Sequence, residues 1–134
     1  MTQDVMFVSV EDAVKLHAYV LSLDEEHAAA NVRDKGLLES ALNRPKHLYF
    51  YEEAEIPALA ATLLWGVVTN HAFYDGNKRT GWAVTQFFLS RNGLILRSGE
   101  GSVRLVLGIA MNRRNLDQVE EWIRHNLEPL PRSS

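Results

Sequence analysis

Cysteine is absent from the 134 residues. That excludes a disulfide framework, a thiolate metal site and a cysteine nucleophile. Long apolar runs are missing as well: no stretch reaches the roughly 20 residues that cross a bilayer, so no membrane role is expected. The start, Met1-Thr-Gln-Asp-Val5, has neither the basic segment nor the apolar core of a secretion signal, which makes a cytoplasmic location the default. Charge of either sign is nearly balanced, with a formal net charge of -3. The chain as a whole therefore gives no reason to expect direct nucleic-acid binding. There is no repeat, low-complexity tract or linker. What remains, 46% hydrophobic and 23% charged, is the composition of an ordinary globular chain. It is long enough for one sizeable core, so we expect a single domain over 1–128 and a disordered tail over 129–134.

Hydrophobic periodicity puts most of that domain in helices. Ser9 opens the first, with Asp12 placed for a capping box, and Val10, Ala13, Val14, His17, Ala18 and Leu21 form its inward stripe. His17 on that stripe reads as a packed, hydrogen-bonded core histidine, since no second metal ligand lies at helical spacing. Asp24-Glu-Glu-His27 reads as a polar linker. Asp34 starts a short helix buried through Leu37, Leu38, Ala41 and Leu42, which Pro45 should end. The aromatic stretch from Lys46 to Glu53 reads as strand-like. It is either a core cover or an exposed flap that pairs with an extended piece of a protein substrate. After the central helices, Asn92-Gly93 is a stop signal and Leu94–Leu96 an extended link. The next helix carries Val103, Val106, Leu107 and Ala110 inward. Asn115 caps the last one, with Gln118 placed for a box and Leu116, Val119, Ile123 and Leu127 buried. The fold class is mainly α, about six helices with a small β-like flap.

The chemistry gathers in His71-Ala-Phe-Tyr-Asp75-Gly76-Asn77-Lys78-Arg79-Thr80. Ahead of it Ile56, Leu59, Ala60, Leu63, Leu64, Val67 and Val68 recur at helical steps, and His71 is the next position on that stripe. It is expected to face inward at the helix end. Thr80 to Arg91 reads as a further helix, apolar over much of its circumference and therefore central. Gly76 makes a tight turn before it, so the N–H groups around Asn77, Lys78 and Arg79 lack helical partners and point at any anion placed there. Arg79 can grip two phosphate oxygens with its planar fork, while Lys78 acts as a point charge. Asp75 offers a hard oxygen to Mg²⁺, and Asn77 an amide to phosphate, to metal or to the helix start. His71 can take a hydroxyl proton as a general base, worth about 10²–10⁴-fold in rate. Each residue alone has a plainer reading: a core histidine, a turn, a solvated helix start. Two cations at a helix start oppose its dipole by about 0.3–1 kcal/mol each, which tilts the balance toward an anionic partner. A His71–Asp75 transition-metal site lacks a third ligand nearby.

These residues resemble the signature of the Fic/Doc superfamily, and within it the death-on-curing (Doc) toxin branch. The resemblance runs from about Val10 to Leu127 and takes in Arg33-Asp-Lys-Gly36-Leu-Leu-Glu-Ser-Ala-Leu42. It implies a compact helical domain with an ATP and Mg²⁺ site at the motif loop. By resemblance His71 is catalytic, Phe73 a packing aromatic, Asp75 the Mg²⁺ acid, and Gly76, Asn77, Lys78 and Arg79 bind the nucleotide. Adenylylating relatives carry glycine where this chain has Lys78 and a further arginine where it has Trp82. In the Doc branch that change goes with ATP bound in the opposite sense, its γ-phosphate facing the histidine. The implied reaction is phosphorylation of a threonine on elongation factor Tu, arresting translation, under control of a Phd-like antitoxin. Ser22 to Glu26 has the spacing of an internal inhibitory helix, but His27 follows where glycine or asparagine belongs. Inhibition in trans is thus expected. The alternatives are a protein adenylyltransferase and a catalytically idle antitoxin-binding module.

Overall fold

The computed structural model describes residues 4–131. Seven helices and one two-stranded sheet follow in the order α1 (Val10–Leu21), α2 (Glu25–Ala30), α3 (Lys35–Glu52), α4 (Ile56–Asn70), α5 (Asn77–Arg91), β1 (Leu94–Leu96), α6 (Glu100–Ala110), α7 (Leu116–Asn126) and β2 (Leu127–Pro129). The protein is mainly α, as its periodicity indicates. No described helix is long and apolar enough to cross a membrane.

Starts that carry a polar cap fall where capping chemistry puts them. Ser9 and Asp12 close a capping box on α1, and Asn115 and Gln118 close one on α7. Asp24 accepts from the His27 N–H and so opens α2, a helix where a polar linker was expected. Only Ala28 of α2 is buried, which is why hydrophobic periodicity passes over it.

Pro45 was expected to end its helix. It does not end α3; the helix runs on through it to Glu52, so Lys46–Glu53 is neither strand nor flap. An interior proline removes a hydrogen bond and costs roughly 3 kcal/mol. Here that cost is offset by packing on both sides. Leu38, Ala41, Leu42 and Pro45 itself are buried, and Tyr49 meets Phe7 edge-on at 5.7 Å. Phe50 and Tyr51 stay exposed.

The most enclosed element is α4, not the motif helix α5. It is buried at nearly every position from Leu59 to Val68 and packs against α3, α5, α6 and α7. Small residues allow the close approaches. A Cβ on Gly66 would lie 3.1 Å from the Ala41 Cβ, and one on Gly81 would lie 2.7 Å from a Val68 methyl. On α6 the buried face is Ser102, Leu105, Val106 and Ile109; of the expected stripe Val103, Val106, Leu107 and Ala110, Val106 lies on that face and the other three are exposed. That helix is apolar around most of its girth, so periodicity alone does not pick the face.

The sheet pairs β1 with β2 antiparallel, Ile95 opposite Glu128. The Gln86 side chain of α5 bonds both the N–H and the C=O of Leu96, fixing β1 to the motif helix. A tail was expected from residue 129, but Pro129 belongs to β2 and the Leu130 N–H donates to the Gly93 carbonyl. The remaining tail positions, 132–134, lie outside the described residues.

Candidate functional site

The helix α4 stops at Asn70, and His71 turns left-handed with φ 52° and ψ 45°. The stripe therefore does not carry through to it. Its side chain is exposed instead of facing the core, because the change of backbone hand rotates the imidazole off the buried face. A left-handed non-glycine residue costs about 1–3 kcal/mol and persists only where its surroundings hold it. Here the hold comes from the turn before α3. Arg33 Nε donates to the His71 carbonyl at 2.8 Å, and the N–H groups of Arg33 and Asp34 both donate to the Ala72 carbonyl.

The rest of the loop is braced from two sides. Val32 and Phe73 form an isolated antiparallel bridge, and the Tyr74 N–H donates to the Asn31 carbonyl. The Asn31 side chain reaches the Asp75 carbonyl at 3.3 Å. Asn77 bonds Phe73 through both halves of its amide, so that side chain closes the loop. What Asn77 leaves toward a ligand is its backbone N–H, at the first position of α5. Gly76 precedes it at φ 77°.

Among the described residues, the N–H groups of Asn77, Lys78 and Arg79 have no partner and no side chain caps them. They point out of a helix start whose next two side chains are cations. Asp75, Lys78 and Arg79 are exposed. Arg79 stands between two cavities. One, about 520 Å³, is lined by Asp75, Arg79, Asn31, His27, Leu21 and Leu23. The other, about 490 Å³, is lined by Lys78, Arg79, Trp82 and the Ser98–Leu107 side of α6. The structure thus brings Asp75, Lys78 and Arg79 around one cationic ridge. His71 is on neither wall; it stands exposed at the other end of the same pinned loop. Trp82 packs edge-on against Trp122, their ring centroids 6.4 Å apart.

Three or more His, Cys, Asp or Glu side chains do not converge anywhere among the described residues. Mg²⁺ commonly takes one or two carboxylates and completes its shell with phosphate and water. The lone Asp75 beside Arg79 fits that chemistry.

Asn31 and His17 were not assigned to this site by sequence reasoning, and Arg33 entered only as part of a longer stretch. Local periodicity does not show their contacts to the loop: Asn31 reaches Asp75 across 44 residues, Arg33 reaches His71 across 38, and His17 reaches Thr80 across 63. His17 is the buried, hydrogen-bonded histidine that its place on the α1 stripe indicates. Burial holds its pKa below the ordinary value, against an opposing pull from the Asp75 charge.

Comparison with known proteins adds a second line. The profile of the Fic/DOC family matches residues 7–89, which run from before α1 to within two residues of the end of α5 and contain the whole loop. The curated protein Toxin Doc of Mycolicibacterium smegmatis is 47% identical over 68 residues, 48% of this chain and 52% of that protein. The match thus spans about half the length of that relative.

Proposed function

The chain belongs to the Fic/DOC family, and on that premise we propose that it transfers the γ-phosphate of ATP to a protein hydroxyl. The observation that carries this reading is the ridge at the start of α5. Three unpartnered N–H groups, Lys78 and Arg79 converge beside the Asp75 carboxylate, with His71 held at the far end of the same loop. Phosphoryl transfer asks for little else than anion neutralisation, a placed nucleophile and a proton acceptor.

In this reading the helix-start N–H groups and the Arg79 fork hold the triphosphate, and Lys78 offsets its charge. Asp75 holds Mg²⁺, which when bound neutralises charge on the transferred group. His71 accepts the proton of the incoming hydroxyl as its oxygen attacks the γ-phosphorus, while the bond from that phosphorus to the β,γ-bridging oxygen breaks and ADP leaves with the electron pair. Its exposure suits this role, because the hydroxyl belongs to another protein and must reach the imidazole from outside. Lys78 and Trp82 stand on one cavity wall where adenylylating relatives have glycine and arginine. That pair favours the γ-phosphate over the adenylyl group as the cargo.

The likeness to Toxin Doc supports a toxin of a toxin–antitoxin pair, and a Phd-like antitoxin is the inhibitor we assign to it. A threonine of a translation factor such as elongation factor Tu is the substrate we assign, and arrested translation in the cytoplasm the outcome. The test uses ATP labelled at the α- or the γ-phosphate, with the full chain, Mg²⁺ and purified elongation factor Tu. Label moving from the γ position to threonine supports the reading. Label moving from the α position makes the protein an adenylyltransferase. Transfer from neither position, to this factor or to a cell extract, leaves an antitoxin-binding module.

A further inference from the structure

His17 lies in the middle of α1, 0% exposed, and lines none of the cavities around the loop. Its ring stacks on Phe73 with centroids 3.9 Å apart and planes 12° from parallel. Nδ1 is 2.7 Å from the Thr80 hydroxyl, and Nε2 is 2.6 Å from the Asn31 amide nitrogen. Phe73 and Thr80 are near the two ends of the motif loop, and Asn31 reaches its middle at the Asp75 carbonyl. Both of the polar contacts of His17, and its stack, therefore go to the loop or its brace, and none to its own helix.

The proton positions follow from donor and acceptor chemistry. A backbone carbonyl only accepts, so the group that Asn31 turns toward Asp75 is its NH₂. The same nitrogen faces His17 Nε2, and an amide nitrogen only donates. Nε2 must then be a bare acceptor. In a neutral imidazole the hydrogen sits on the other nitrogen, so Nδ1–H donates to the Thr80 oxygen. One protonation state satisfies every partner. An imidazolium would set an N–H against the Asn31 NH₂ inside a buried site.

We propose that His17, locked as the neutral Nδ1–H tautomer, is a positioning residue that sets Phe73, Asp75 and Thr80 in register for the reaction at the loop. It rests on the reading of that loop as the ATP site, but its hydrogen-bond logic is testable without any turnover. A core histidine that merely fills space would tolerate an aromatic of similar size. A positioning histidine would not, because Asn31 would lose its acceptor and with it the hold on Asp75.

The experiment combines nitrogen NMR of the ¹⁵N-labelled full chain with kinetics of His17→Phe and His17→Gln. In the wild type, Nδ1 should be protonated and Nε2 bare throughout the range where a free imidazole titrates, as long as the chain is folded. An Nε2–H tautomer or an imidazolium overturns the proposal. Asn31→Asp replaces the donor with an acceptor and should move the hydrogen to Nε2. An unchanged tautomer there also overturns it. In His17→Phe, with a cooperative melt retained, the amide signals of 73–80 should shift and kcat should fall about 10²-fold, with KM for ATP changing far less. His17→Gln returns an acceptor toward Asn31 and should recover at least about tenfold of that loss. Wild-type kcat and unshifted loop amides in His17→Phe would reduce His17 to core packing. If His17→Phe does not fold, the tautomer and the Asn31→Asp response decide. If the wild type transfers no phosphate, the functional reading fails, while the tautomer and the loop amides still test this one.

Discussion

Asn77 pairs with Phe73 through both halves of its amide. The Phe73 N–H donates to Asn77 Oδ1 at 3.1 Å, and Asn77 Nδ2 donates to the Phe73 carbonyl at 2.9 Å. One side chain thus stands in for a backbone neighbour and closes the loop across four residues. The residue that sequence reasoning offered to a phosphate serves the loop first, and faces a ligand only through its N–H.

Asn77→Ala removes both bonds, each worth about 0.5–1.5 kcal/mol net. Urea unfolding should show a loss of roughly 1–3 kcal/mol, and calorimetry a weakened affinity for Mg·ATP. Asn77→Asp keeps an acceptor for the Phe73 N–H but sets a carboxylate against the Phe73 carbonyl. It also adds negative charge to the anion site, so its ATP affinity should fall below that of the alanine variant.

Replacing Gly76 by a Cβ-bearing residue should be costly. Its φ is 77°, and a Cβ there would lie 2.5 Å from a Leu21 methyl. Gly76→Ala should cost about 1–2 kcal/mol from backbone hand alone, with the overlap added. The two parts separate in a double variant. Leu21→Ala in the Gly76→Ala background should relieve the overlap and leave the backbone cost, as read from thermal melts of the four chains.

Stability should fall on acidification because of His17. Its pKa is held below the ordinary value of 6.5, first by burial. Well above 6.5 both folded and unfolded chains carry it neutral, and its contribution is fully present. As pH falls through 6.5 the unfolded chain binds a proton that the folded chain refuses, so stability declines until the depressed value is passed. Urea midpoints from pH 8 down to about pH 5 should fall in the wild type. The slope should be smaller in His17→Gln, which has nothing to titrate at that position. Equal slopes would assign the acid sensitivity to other groups.

The sequence made the caps, the helical class and the motif legible because each is a local signal. Ser9 with Asp12 and Asn115 with Gln118 carry their partners three residues away. Asp75, Lys78 and Arg79 come together because a glycine turn and a helix start fix them over five residues. What stayed hidden depends on distant contacts. Pro45 continues α3 because the core packs that helix on both sides of it. His71 leaves its stripe because Arg33 and Asp34, nearly 40 residues earlier, pin the carbonyls of 71 and 72. The face of α6 was missed because that helix is apolar nearly all round, with Val103 and Leu107 left exposed.

The proposed reaction needs His71, exposed at one end of the loop, as the base and the start of α5, at the other end, as the anion cradle. Turnover and Mg·ATP binding measured together on His71→Ala and Arg79→Ala test it most directly. His71→Ala should lower phosphate transfer by about 10²–10⁴-fold and leave the dissociation constant for Mg·ATP within about twofold of wild type, whereas Arg79→Ala should weaken binding itself. Undiminished transfer in His71→Ala, or unchanged ATP affinity in Arg79→Ala, would contradict the account.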